Sequence, residues 1–122
     1  MTTITPAATL AIFDASISPN PNPVPFAGSG VTCPIGALSQ DVTLAAATSL
    51  AALPFPSGVT TAKILAIYAQ RITDLVVTLT ISAQTIALEV PVNQPLFLYN
   101  VTSAQIRISS VLGGKLTTVI GG

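Results

Sequence analysis

Few side chains in this sequence are able to do chemistry. Cys33 is its only thiol, Asp14, Asp41, Asp74 and Glu89 are its only carboxylate side chains, Tyr68 and Tyr99 its only phenols, and histidine is absent. Without histidine the commonest general base and metal ligand are gone, and with them every Ser-His triad. A nucleophilic cysteine needs a base or a positive neighbour to lower its pKa. Thr32 and Pro34 supply neither, so Cys33 reads as a small packed residue. A lone cysteine also makes no intrachain disulfide and no thiol pair for a metal. A glycosidase needs two carboxylates close together, and these four are scattered along the chain. Gly28-Ser29-Gly30 is a flexible turn, since neither a following GK[ST] nor a nearby lysine makes it a phosphate cradle. Tyr68 and Tyr99 have the chemistry to stack on a sugar or a base. Both sit inside apolar runs, however, and are expected in the core with a hydroxyl reaching an edge. We therefore expect no enzyme, no catalytic or metal-binding residues and no cofactor.

The scaffold that must position these groups is β-rich. In Asp74–Ser82 strict alternation puts Leu75, Val77, Leu79 and Ile81 on one face, the mark of a strand with one side on a core. Thr85–Val90 repeats the pattern with Ile86, Leu88 and Val90 inward, Ser82-Ala83-Gln84 forms the link between the two, and Pro91 ends the second. By this phase Asp74 and Glu89 point outward as solvated charges that limit edge pairing, and Asp41 begins another strand region. Leu96–Tyr99, Gln105–Ser109 and Lys115–Ile120 are further strands, with Gly113-Gly114 turning between the last two. Ala62–Gln70 is apolar on both faces, as a central strand would be. Ala8–Ser18 reads as a strand carrying Leu10, Ile12 and Asp14, whereas the alanine-rich Asp41–Leu53 suits helix or strand. Strands about every ten residues with Gly, Pro and Asn between them predict an all-β antiparallel β-sandwich over residues 1–122, and the strand number suits a jelly roll.

Only eight residues are charged and they cancel. Neutrality leaves no basic footprint for nucleic acid and no polybasic membrane signal. The start Thr2–Pro6 lacks the basic residues of a signal peptide, and the apolar runs are shorter than a membrane span, so a soluble chain without export is expected. Such domains are ordinarily about a quarter charged. This one is 7% charged, so as a free monomer it is poorly protected against self-association, and we expect much of its surface to be covered in an assembly.

Residues 19–38 hold five prolines and no charge. Pro19–Phe26 in polyproline-like geometry would span roughly 25 Å. Val24, Phe26, Val31, Cys33, Ile35 and Leu38 lie among these prolines and want a surface. The segment is read as an extended loop or arm lying either on its own sandwich or on a neighbouring subunit.

From Gly58 onward Gly58-Val59-Thr60-Thr61-Ala62-Lys63-Ile64-Leu65-Ala66-Ile67 leads into Leu75–Leu79. Pro95-Leu96-Phe97-Leu98-Tyr99, Ile106-Arg107-Ile108-Ser109 and the ending Val119-Ile120-Gly121-Gly122 follow. Over these last 65 or so residues the chain resembles small β-sandwich virion proteins of tailed bacteriophages. The resemblance implies a capsid decoration, or cement, protein in the virion. Such a protein is made in the host cytoplasm, binds the major capsid protein or other virion proteins, and forms dimers or trimers. It brings no catalytic residues. It makes the proline-rich stretch a staple whose contacts would be Pro21, Pro23, Val24, Pro25, Phe26 and Val31. A tail or baseplate adaptor, or a fibre-attachment protein, shares the fold and neutrality. A carbohydrate-binding sandwich would need exposed aromatics on a flat face or in loops.

Overall fold

A computed structural model describes residues 2–10 and 24–122. The described residues form twelve strands and no helix: β1 (Thr2–Ile4), β2 (Ala7–Leu10), β3 (Val24–Ala27), β4 (Val31–Cys33), β5 (Ala37–Leu44), β6 (Thr48–Ala52), β7 (Thr61–Tyr68), β8 (Leu75–Ile81), β9 (Gln84–Val90), β10 (Pro95–Thr102), β11 (Ile106–Ser110) and β12 (Gly114–Gly121). The helix-or-strand segment Asp41–Leu53 is thus the end of β5 and all of β6, broken at Ala45–Ala47.

Eight strands make two four-stranded sheets, in the orders β10-β7-β12-β5 and β6-β11-β8-β9, and every hydrogen-bonded neighbour is antiparallel. Successive strands pass from one sheet to the other except at the β8–β9 hairpin. Both sheets line one core, a sandwich-like arrangement. Leu44, Leu65, Ile67, Leu116 and Ile120 come from the first sheet, and Leu75, Val77, Leu79, Ile106 and Ile108 from the second. Each fully buried Leu, Ile or Val adds roughly 1.5–3 kcal/mol, which lets aliphatic side chains alone hold a domain of this size. On the inner face Thr118 stands opposite Gln40, and Thr118 Oγ1 and Gln40 Nε2 are buried without hydrogen-bond partners among the described residues.

The β8–β9 hairpin closes through Ser82-Ala83, both at positive φ (51° and 64°), a type I′ geometry usually given to Asn-Gly. Here the alternation carries past the core. Leu75, Val77 and Leu79 are buried and Leu88 is half-buried, but Ile81 and Ile86 are half exposed. The last β8–β11 pair is Leu79 with Ile106, so the hairpin tip runs beyond its neighbouring strand.

Upstream, β1 pairs with β4 and β2 with β3, two short ribbons separate from the main sheets. Residues 24–27 and 31–33 of the expected loop are therefore strand, and 37–38 open β5. Pro25 lies opposite Thr9 in a two-stranded ribbon, where β3 pairs on one side only and is an edge strand, the position in which a sheet accepts proline. Residues 19–23, and Ile12 and Asp14 of the expected first strand, lie outside the described residues. The β1–β4 ribbon rests on the outer face of the first sheet. A Cβ on Gly121 would meet Cys33 Sγ at 2.5 Å and Ile4 Cδ1 at 2.7 Å, so the glycine ending of β12 is what lets the ribbon approach.

Candidate functional site

Among the described residues no three His, Cys, Asp or Glu side chains gather as a metal site would require. Cys33 is buried on the side of the ribbon that faces β12, with its thiol directed at the Val31 carbonyl. What distinguishes this molecule is the apolar surface it presents and how that surface is held.

The loops 45–47, 69–74, 91–94 and 111–113 meet at one end of the two sheets. They are tied by Ala47 N donating to Val111 O (2.8 Å), Arg71 N to Lys115 O (2.9 Å) and Asn93 N to Ala69 O (2.6 Å). The β11–β12 turn forms the tip. Its Val111 and Leu112 are 74% and 69% exposed, the most exposed of the large apolar side chains described, and Leu50 nearby is 56% exposed.

The turn is fixed by a carboxylate. Asp74 Oδ1 accepts from the Ser110 hydroxyl at 2.5 Å, and Oδ2 accepts from the Val111 and Leu112 amides at 2.8 and 3.0 Å. The Ser110 oxygen in turn accepts from Gly113 N at 2.8 Å. Hydrogen bonds to a charged acceptor are among the stronger ones. The Ser110 hydroxyl, and then the Leu112 and Val111 amides, hold the Asp74 carboxyl below its usual range against an opposing desolvation. Gly113 completes the turn at φ 77°, where a Cβ would sit 2.7 Å from Leu44 O. Asp74 is therefore more than a solvated charge: it latches a turn that points two aliphatic side chains into water. Beside the turn lies a shallow depression of about 350 Å³ between Thr48, Val76, Ser109 and Val111.

A second apolar area lies on the outer face of the first sheet. Tyr68 stands in register with Pro95 and Thr117, Ala66 with Phe97 and Val119, and Ile64 with Tyr99 and Gly121, so these three rows share one face. Tyr99 is 50% exposed and Tyr68 39%, with Phe97 half-buried between their rows. Both tyrosines thus depart from the expected core placement, because their strand phase is opposite to that of Leu65 and Ile67. At the far edge of this face Asp41 pairs with Lys115 Nζ at 2.9 Å and accepts from the Thr117 hydroxyl at 2.8 Å. The Lys115 hydrogen bond first, then that of Thr117, lowers the Asp41 pKa.

Of the contacts expected from sequence, Pro21 and Pro23 lie outside the described residues. Val24, Pro25 and Phe26 fall on β3, opposite Leu10, Thr9 and Ala8. Val31 is on β4 opposite Ile4 and half-buried, beyond the Gly28–Gly30 break that separates it from the other three. The tip was missed. Its only signal was an apolar pair, Val111-Leu112, inside a Ser-Ser…Gly-Gly turn, where polar residues are the norm. Comparison with protein-family models, curated proteins and solved structures finds no match to this chain.

Proposed function

We propose that this chain is a non-catalytic structural protein of a tailed-phage virion, a capsid decoration protein that binds the outer shell and stabilises neighbouring capsomers. The observation that carries the reading is the latched tip: Val111 and Leu112 are held in water by three hydrogen bonds to Asp74. An ordered apolar pair loses little freedom on docking, so its burial converts efficiently into affinity. The low charge of the whole chain suits a partner recognised through apolar contacts. The eight main strands, in orders β10-β7-β12-β5 and β6-β11-β8-β9, support reading the fold as a jelly roll of two Greek keys. The N-terminal ribbons, with Val24, Phe26 and Val31, would add a second contact.

The test is co-sedimentation of the purified chain with a panel of empty tailed-phage shells. Saturable binding that changes little with salt is expected, since few charges take part. Leu112→Ser and Phe26→Ala should each weaken it while folding is retained. Retention by no shell in the panel, or wild-type binding by Leu112→Ser, overturns the reading. A tail or baseplate adaptor would instead bind tail assemblies and leave shells unbound.

One observation favours a carbohydrate-binding sandwich as a second reading: Tyr68 and Tyr99 are exposed on a sheet face with Phe97. Retardation in gels containing soluble polysaccharide, lost in Tyr99→Ala, would support it.

A further inference from the structure

The two main sheets end in four edge strands: β10 and β5 in the first, β6 and β9 in the second. An edge strand presents unpaired N–H and C=O groups, and chains that stay apart blunt such edges with charge, bulges or brevity. Three of the four are blunted. β5 carries the Asp41–Lys115 ion pair beside it. β6 has five residues, an irregular register against β11 between Ile108 and Ser110, and Leu50 at φ 48°. β9 carries Glu89.

β10 is different. It is eight residues long, uncharged, and opens with Pro95-Leu96-Phe97-Leu98-Tyr99. Its proline is at the first position, where it blocks nothing further along. Among the described residues no strand pairs with its outer side. Its one irregularity is Asn100 at φ 56°, which leaves Leu96–Tyr99 regular.

We propose that two copies of this chain pair antiparallel through β10, joining their first sheets into one eight-stranded sheet. A two-fold axis through Leu98 makes the strand its own complement, setting Phe97 of one copy opposite Tyr99 of the other. It satisfies the open backbone groups and brings Phe97 and Tyr99 of both copies into one row on the outer face. The half-exposed aromatic side chains and the unguarded edge then have the same explanation. An uncharged strand also meets its copy without like-charge repulsion. A free edge of eight residues is about 27 Å long at ~3.4 Å per residue. A contact one strand wide along that length is narrow beside the roughly 800 Å² per partner of a standard stable interface, so the dimer should be concentration-dependent. This inference stands apart from the virion reading, since it concerns the purified chain alone.

Sedimentation velocity over a concentration series is the test. The mass should rise toward a dimer. Tyr99→Lys should weaken association about ten-fold or more, roughly 1.4 kcal/mol, while Ile86→Lys on the β9 edge should leave it unchanged. Hydrogen exchange of the wild-type chain is the check if Tyr99→Lys fails to fold: the amides of Leu96–Tyr99 that point away from β7 should become protected at high concentration and the outward amides of β9 should not. A monomer throughout the series overturns the proposal. So does a dimer dissolved by Ile86→Lys, or one whose β10 amides exchange alike at both concentrations.

Discussion

The two ends of β8 both carry exposed apolar side chains, and they are built differently. Before its first residue, Asp74 gathers the Ser110 hydroxyl and two amides, and the Val111-Leu112 turn is ordered around that carboxylate. Beyond its last residue, Ile81 and Ile86 flank a Ser82-Ala83 turn held by the β8–β9 ladder, with two non-glycine residues in the left-handed region. Exposure is therefore similar in kind at the two ends, while preorganisation is not. Scattered exposed aliphatics are ordinary on protein surfaces. Aliphatics held by a buttress of directed hydrogen bonds call for an explanation, and that makes the Asp74 end the stronger candidate for docking.

The largest effect should come from breaking the latched turn at Gly113. A Cβ there would lie 2.7 Å from Leu44 O and 2.8 Å from Ala46 N, at φ 77°. Gly113→Ala should cost about 2–5 kcal/mol, combining the left-handed penalty with overpacking, as measured by urea unfolding. A cost within about 0.5 kcal/mol, the size of an ordinary surface change, would mean that the turn is free to relax.

Asp74→Ala comes next. Amide exchange at Val111 and Leu112 should speed up about ten-fold or more while β7 amides keep their protection. The pH dependence follows from the sign of the shift. The folded Asp74 pKa lies below the unfolded value, so its contribution is fully present above about pH 4 and disappears as the pH falls through the lower, folded value. Asp41 acts in the same window through Lys115 and Thr117. Wild-type stability should therefore drop more steeply below about pH 4 than that of Asp74→Ala. Equal acid limbs would mean that the Asp74 carboxylate does not hold the turn.

At the other end the prediction reverses. Replacing Ser82-Ala83 by Asn-Gly should stabilise the chain by about 1–2 kcal/mol, because those residues take the I′ geometry with less strain. A loss of stability would show that the Ser82-Ala83 turn does more than close a hairpin.

Much of the β scaffold was legible from alternation, because Leu75, Val77 and Leu79 must face a core and every second residue must not. The pattern was silent on where the core stops. Ile81 and Ile86 keep the phase but overrun β11, and strand length relative to a neighbour is a tertiary property. Tyr68 and Tyr99 misled for a related reason: in a strand apolar on both sides, type does not say which face is covered. The docking candidate was the least legible. Asp74 reads as a solvated charge until Ser110, 36 residues away, is brought beside it. The proline-rich segment, prominent in sequence, is in its described part mostly strand, since proline is excluded from ladders and not from the free edge of a ribbon.

The smallest expected effects on stability are the most discriminating for function. Ile81→Thr, Ile86→Thr and Leu112→Thr each change an exposed side chain, and each should alter the unfolding free energy by less than about 0.5 kcal/mol. If exposure alone made a docking surface, all three would weaken the proposed shell binding alike. If preorganisation matters, Leu112→Thr alone should weaken it, because only that side chain reaches the partner already ordered. Binding measured for the three variants at matched stability separates these cases. A loss shared by Ile86→Thr would dissolve the distinction between the two ends, and a loss confined to Leu112→Thr would locate the contact at the turn that Asp74 holds.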